Sequence, residues 1–287
     1  MDNKFVYYLT PILRVILFVF FIFLWSIPFG FITQFEIFKF SEESLLGQLF
    51  YESGAILMVL GALLMIFYVF PHRNLKSVFI QKDIFYPFIK GSAVGLLLIF
   101  CSAFLMYLSG NVSFNETNIS PVNILGYLCF FILVAVFEEF TFRSFPLVVF
   151  AERYLVQFSI LANGLLFGLV HLANPGFSVL AMINITLCGI LFSMITLKKK
   201  NIWWAVGIHF GWNFSQGNLL GFKVSGIKQS GLIVSTPKGN SILSGGDFGI
   251  EGSIICTIIL LIYVSWFTFR STIDPVIEDT GETNDDD

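Results

Sequence analysis

Apolar runs near the length of a membrane-spanning helix recur from one end of this chain to the other, separated by short polar links. Eight can be marked, at 8–32, 46–70, 87–109, 122–145, 157–174, 178–197, 203–220 and 250–270. A bilayer core calls for roughly 20 apolar residues per helix. In lipid each segment must also satisfy its own backbone hydrogen bonds, which selects helices. The pattern predicts an all-α, multi-pass transmembrane bundle of about eight helices. It divides into about three N-terminal spans over 1–121, a membrane core over 122–270 and an acidic tail over 271–287.

Composition agrees with this picture. Of 287 residues, 56% are hydrophobic and 12% charged, with a mean hydropathy of +0.83. A soluble domain carries roughly 25% charged residues, so a soluble class is excluded and no nucleic-acid partner is expected. The formal net charge of −3 adds little, because much of the acid sits in the final EDTGETNDDD. That stretch has no strongly apolar residues and is expected to be disordered. The four cysteines, Cys101, Cys129, Cys188 and Cys256, lie in apolar runs without paired spacing. They read as small buried hydrophobes. The first run is too long for a signal h-region and reads as a retained span.

Lysine and arginine set the expected orientation. With the N-terminus inside, the cytoplasmic side receives Lys4, Arg73, Lys76, Lys82, Lys90, Arg143, Arg153, Lys198 to Lys200 and Arg270. The outside keeps Lys39 and three lysines of the 221–249 loop. Both termini are therefore expected in the cytoplasm, at the cell membrane if the source is bacterial.

Against this background the stretch VFEEFTFRSF is out of place. It sets Glu138, Glu139 and Arg143 inside the fourth span, where a charge costs roughly 2.5–3.5 kcal/mol even on a lenient scale. At about 100° per residue, Glu139 and Arg143 share a helix face and can pair, while Glu138 points elsewhere. A structural ion-pair triad or an interfacial helix end would also account for these three residues alone. Two of the three histidines deepen the pattern: His171 follows Phe167 by four residues, and His209 precedes Asn213 by four. A glutamate, two histidines and an asparagine on three helices could supply a base, a second proton handler and oxyanion donors. The polar turn AERY (151–154) lies equally far from Glu138 and His171, so folding back there would bring the two level. Pro146 should break the helix just past Arg143.

EEFTFR fits EExxxR, FGLVH fits FxxxH and HFGWN fits HxxxN, in that order, each on an expected span. Together they resemble the CPBP family of intramembrane endopeptidases, which includes the type II CAAX prenyl endopeptidases and bacteriocin-processing and self-immunity relatives. The run LSGGDFGIEGS (243–253) also resembles the Gly-rich segment opening that family's last helix. The likeness spans about residues 122–260. It implies a catalytic core in which Glu138 activates water with His171 as its partner. His209 and Asn213 would hold the oxyanion, and Glu139, Arg143 and Phe167 would support the site. The implied partner is a membrane-tethered peptide or protein, prenylated CAAX-type peptides among them; the oligomeric state is left open. No cofactor is favoured, since HExxH is absent. Zinc held by Glu138, His171 and His209 is the alternative, with an open fourth position for water. A non-catalytic membrane partner or immunity protein, or a proton-coupled transporter, would use the same polar residues differently.

Overall fold

The computed structural model describes residues 4–278. Its helices are α1 (Lys4–Ile32), α2 (Leu45–Val69), α3 (Phe85–Leu108), α4 (Pro121–Arg143), α5 (Phe145–Arg153), α6 (Val156–Val170), α7 (Val179–Lys199), α8 (Trp203–Asn213), the one-turn α9 (Ser241–Ser244) and α10 (Ile254–Arg270). Short polar side chains set several starts: Ser120, Ser178 and Ser253 accept from Asn123, Ala181 and Cys256 N–H groups, supplying partners that the first turn lacks. Ser144 (φ −78°, ψ −117°) breaks the chain after α4, and Pro146 sits in the first turn of α5, where its missing N–H does no harm.

The all-α membrane bundle stands, but the spans are less uniform than the apolar runs suggest. Among the described residues five stretches are long and apolar enough to cross a membrane: α1, α2, α3, the combined α4–α5 and α7. The other three expected spans are shorter, with 15 residues in α6, 11 in α8 and 17 in α10. The chain leaves α6 at His171 for a series of turns, and α8 passes into a π-helical turn, Phe214–Leu219. Both departures border the cavity described below, and such π-turns favour functional sites.

The centre of the bundle is α7, with 67% of its most apolar window buried, against 11% for α1. Its Leu191, Phe192 and Ile195 join Ile208 and Trp212 of α8 and Leu260 of α10 in the main core. The closest contact is between α3 and α8. Gly91 and Gly95 face Gly207 and Gly211, so the two backbones nearly touch. A Cβ on Gly95 would lie 2.0 Å from the Ile208 carbonyl oxygen, and one on Gly211 2.2 Å from that of Ser92. This is the small-residue packing by which membrane helices approach.

The two ends of the bundle differ. At one end, Arg73 makes two bonds to Glu152 of 2.7 and 2.8 Å, and Lys198 Nζ donates to the Thr272 carbonyl. At the other end, two segments expected only as loops pair as an antiparallel ribbon, β1 (Val112–Glu116) with β2 (Ile233–Pro237), Val112 opposite Pro237. The expected acidic tail lies mostly outside the described residues. Residues 271–278 carry no helix or strand, with Ile273 and Val276 packed on the main core and the Glu278 carboxylate between Arg14 and Arg153. Of the cysteines expected to be buried, Cys188 and Cys256 are, whereas Cys101 and Cys129 are exposed on outward faces. Apolar residues need no burial in protein where lipid is the solvent.

Candidate active site

Helix α4 separates its two glutamates. Glu139 and Arg143 are fully buried and paired at 3.2 Å, one turn apart. The Arg143 guanidinium also donates to the Gly189 carbonyl oxygen at 3.2 Å and lies 4.2 Å from the centre of the Phe167 ring. Glu138 points instead into a cavity of about 140 Å³ that His171, His209 and Asn213 also line. Its Oε2 stands 3.9 Å from His171 Nε2 and 3.8 Å from His209 Nε2.

Each imidazole is anchored by its other nitrogen. His171, at the C-cap of α6, has Nδ1 2.7 Å from the Phe167 carbonyl oxygen. His209, on α8, has Nδ1 2.9 Å from Glu139 Oε1 and its ring stacked on Phe192 at 5.2 Å. Phe167 therefore has two roles. Its carbonyl fixes His171, and its ring meets both imidazoles edge-on while shielding Arg143. All seven residues picked out in the sequence thus gather around one cavity or directly behind it.

The cavity has further polar members that sequence reasoning missed. Glu251, in the Gly-rich turn before α10, accepts from Ser225 N at 2.7 Å, Gln216 Nε2 at 2.9 Å and Trp212 Nε1 at 3.3 Å. Asn184 of α7 donates to the carbonyls of Glu251 and Ser253 and holds that turn down. Ser225 adopts a left-handed φ of +46°, a strained conformation for a side chain-bearing residue, and turns its N–H onto Glu251. Only the Gly-rich run hinted at this arrangement. Glu52 of α2 also lines the cavity, and nothing local in its sequence announces it.

A zinc ion was weighed against the same three donors. Their types suit it, but tetrahedral ligands about 2.0–2.1 Å from one ion stand about 3.3 Å apart. Glu138 is farther than that from both imidazoles. Among the described residues no three His, Cys, Asp or Glu side chains form a group that could hold a metal. As placed, the donors do not fit the ion.

Residues 120–215 match the family model of Rce1-like type II CAAX prenyl endopeptidases. The match covers about a third of the chain, and over that stretch the core is similar to this family. The matched stretch runs from the N-cap of α4 into the π-turn after α8 and holds Glu138, Glu139, Arg143, Phe167, His171, His209 and Asn213. No curated protein and no solved structure matches the chain. With its long apolar helices, the protein is an integral membrane protein whose core resembles that of the CAAX endopeptidases.

Proposed function

We propose that the protein is an intramembrane endopeptidase hydrolysing a peptide bond of a membrane-tethered peptide, prenylated CAAX-type peptides included, with water activated by Glu138 and His171. The open triangle of Glu138, His171 and His209 carries this reading. A carbonyl oxygen only accepts, so His171 Nδ1 donates to Phe167 and its Nε2 is left with a lone pair. Glu138 Oε2 is a second acceptor, buried and without a partner. Two acceptors 3.9 Å apart call for a group with two O–H bonds, and water meets that need.

In the proposed reaction Glu138 takes a proton as this water attacks the scissile carbonyl carbon, while His171 holds the water in line. The oxyanion then needs donors. His209 already donates through Nδ1 to Glu139, so it can donate through Nε2 only as imidazolium, a charge that Glu138 and Glu139 both face. Asn213, one turn along α8, supplies the second donor. Collapse breaks the C–N bond, and the proton held by Glu138 passes to the departing amine. The apolar walls, Phe130, Phe131, Val134 and Ile227 among them, suit a peptide delivered from lipid by its own anchor. The distribution of Lys and Arg supports both termini facing the cytoplasm.

The test compares membrane-peptide termini in cells carrying wild type or Glu138→Gln. New termini should appear only with wild type. Two identical profiles would sink the endopeptidase reading.

A further inference from the structure

Among the described residues three carboxylates line the cavity. Glu251 is held by Ser225, Gln216 and Trp212, and Glu138, whose Oε2 has no hydrogen-bond partner, faces the two imidazoles across the space assigned to the water. The third, Glu52, has neither hydrogen-bonding side chains nor an imidazole set against it. It enters from α2, one turn beyond Leu49, where α2 packs on the Tyr127, Phe130 and Phe131 cluster of α4. Its Oε2 is buried without a hydrogen-bond partner. Gln229, across the same cavity, also leaves its amide oxygen unpartnered. No lysine or arginine is among the described residues that line the space.

An isolated carboxylate inside a membrane bundle is costly and seeks a counter-charge. The unmet groups on this wall are acceptors, so their complement is a group that only donates, an ammonium or guanidinium. The faces of Phe130 and Phe131 can add cation–π attraction. We propose that Glu52 forms a specificity subsite for a lysine or arginine side chain of the peptide, adjoining the catalytic triangle. This rests on the endopeptidase reading for its biological meaning, but the subsite can be tested without turnover.

The probe is a palmitoylated decapeptide of alanine and serine with one lysine scanned through its length, paired with norleucine analogues. Its Kd is measured on the full-length protein in nanodiscs. At one or two positions lysine should bind at least about 10-fold tighter than norleucine. The near-isosteric Glu52→Gln should erase that ratio, and Glu52→Lys should invert it in favour of a glutamate-bearing peptide. A wild type without any lysine preference, or a preference that survives Glu52→Gln, overturns the proposal. Lysine-selective binding without cleavage would refute the endopeptidase reading alone. Cleavage indifferent to Glu52 would refute the subsite alone.

Discussion

His209 Nδ1 and Arg143 Nη1 meet the same oxygen, Glu139 Oε1, at 2.9 and 3.2 Å. One buried atom thus closes a turn of α4 and ties α4 to α8. Glu139 holds the arginine and also sets which way an imidazole faces.

Removing one member of a buried ion pair strands the other. Glu139→Ala should therefore cost about 3–5 kcal/mol, read as a lower melting temperature in detergent. Arg143→Ala should do the same. Glu139→Ala should also lose hydrolysis because His209 is no longer held, and Arg143→Ala should lower it because Glu139 loses the partner that fixes it. If Glu139→Ala melts like wild type, the pair does not brace the fold.

Glu138→Gln keeps the shape of the side chain and removes the proposed base. Hydrolysis should fall by about 100-fold or more with an unaltered melting curve. Retained turnover of a fluorogenic membrane-anchored peptide would assign the base elsewhere.

Asn213→Ala should lower kcat by about 100-fold if its amide meets the oxyanion, with little change in KM. A change confined to KM would make it a substrate-binding residue instead.

Metal dependence has a direct check. Because Glu138 stands farther from both imidazoles than two ligands of one zinc ion would, extensive chelation should leave activity intact. Stoichiometric zinc in the purified protein, with activity lost on its removal and restored on its return, would contradict this.

The tail contact depends on pH. Burial alone would raise the Glu278 carboxyl, but the hydrogen bonds and charges of Arg153 and Arg14 outweigh it and hold the group below its ordinary value. A carboxyl lowered in the folded state contributes stability above its unfolded value, about 4.3 for glutamate, and loses it as pH falls through the folded one. Hydrogen exchange across residues 271–278 should accelerate below about pH 4, and already at neutral pH in Arg153→Ala. The salt bridge is partly exposed, with side chains 15% and 22% accessible, so the global melting temperature should barely move.

How much of this the sequence carried can be judged residue by residue. The split between Glu138 and Glu139 was legible because helical periodicity alone decides which side chains share a face. The break at Pro146 was legible because proline acts locally. The Glu139–His209 contact was not, since it depends on how α8 rotates against α4. Glu251 was hidden because its carboxylate is brought in by glycine-dependent turns rather than by a periodic element. Glu52 was hidden because a lone acid on an apolar helix looks the same facing lipid headgroups or a cavity. The shortness of α6 and α8 escaped notice because hydropathy does not register where a helix unwinds.

The glycine seam between α3 and α8 reaches beyond packing. The family match begins at residue 120, whereas Gly91 and Gly95, against which the His209 helix is seated, precede it. A fragment starting at Ser120 would keep every side chain of the proposed catalytic set yet lose the template that sets the depth and rotation of α8. The region before the match is thus the jig in which the proposed reactive groups are aligned, and substitutions there should lower activity without touching that chemistry.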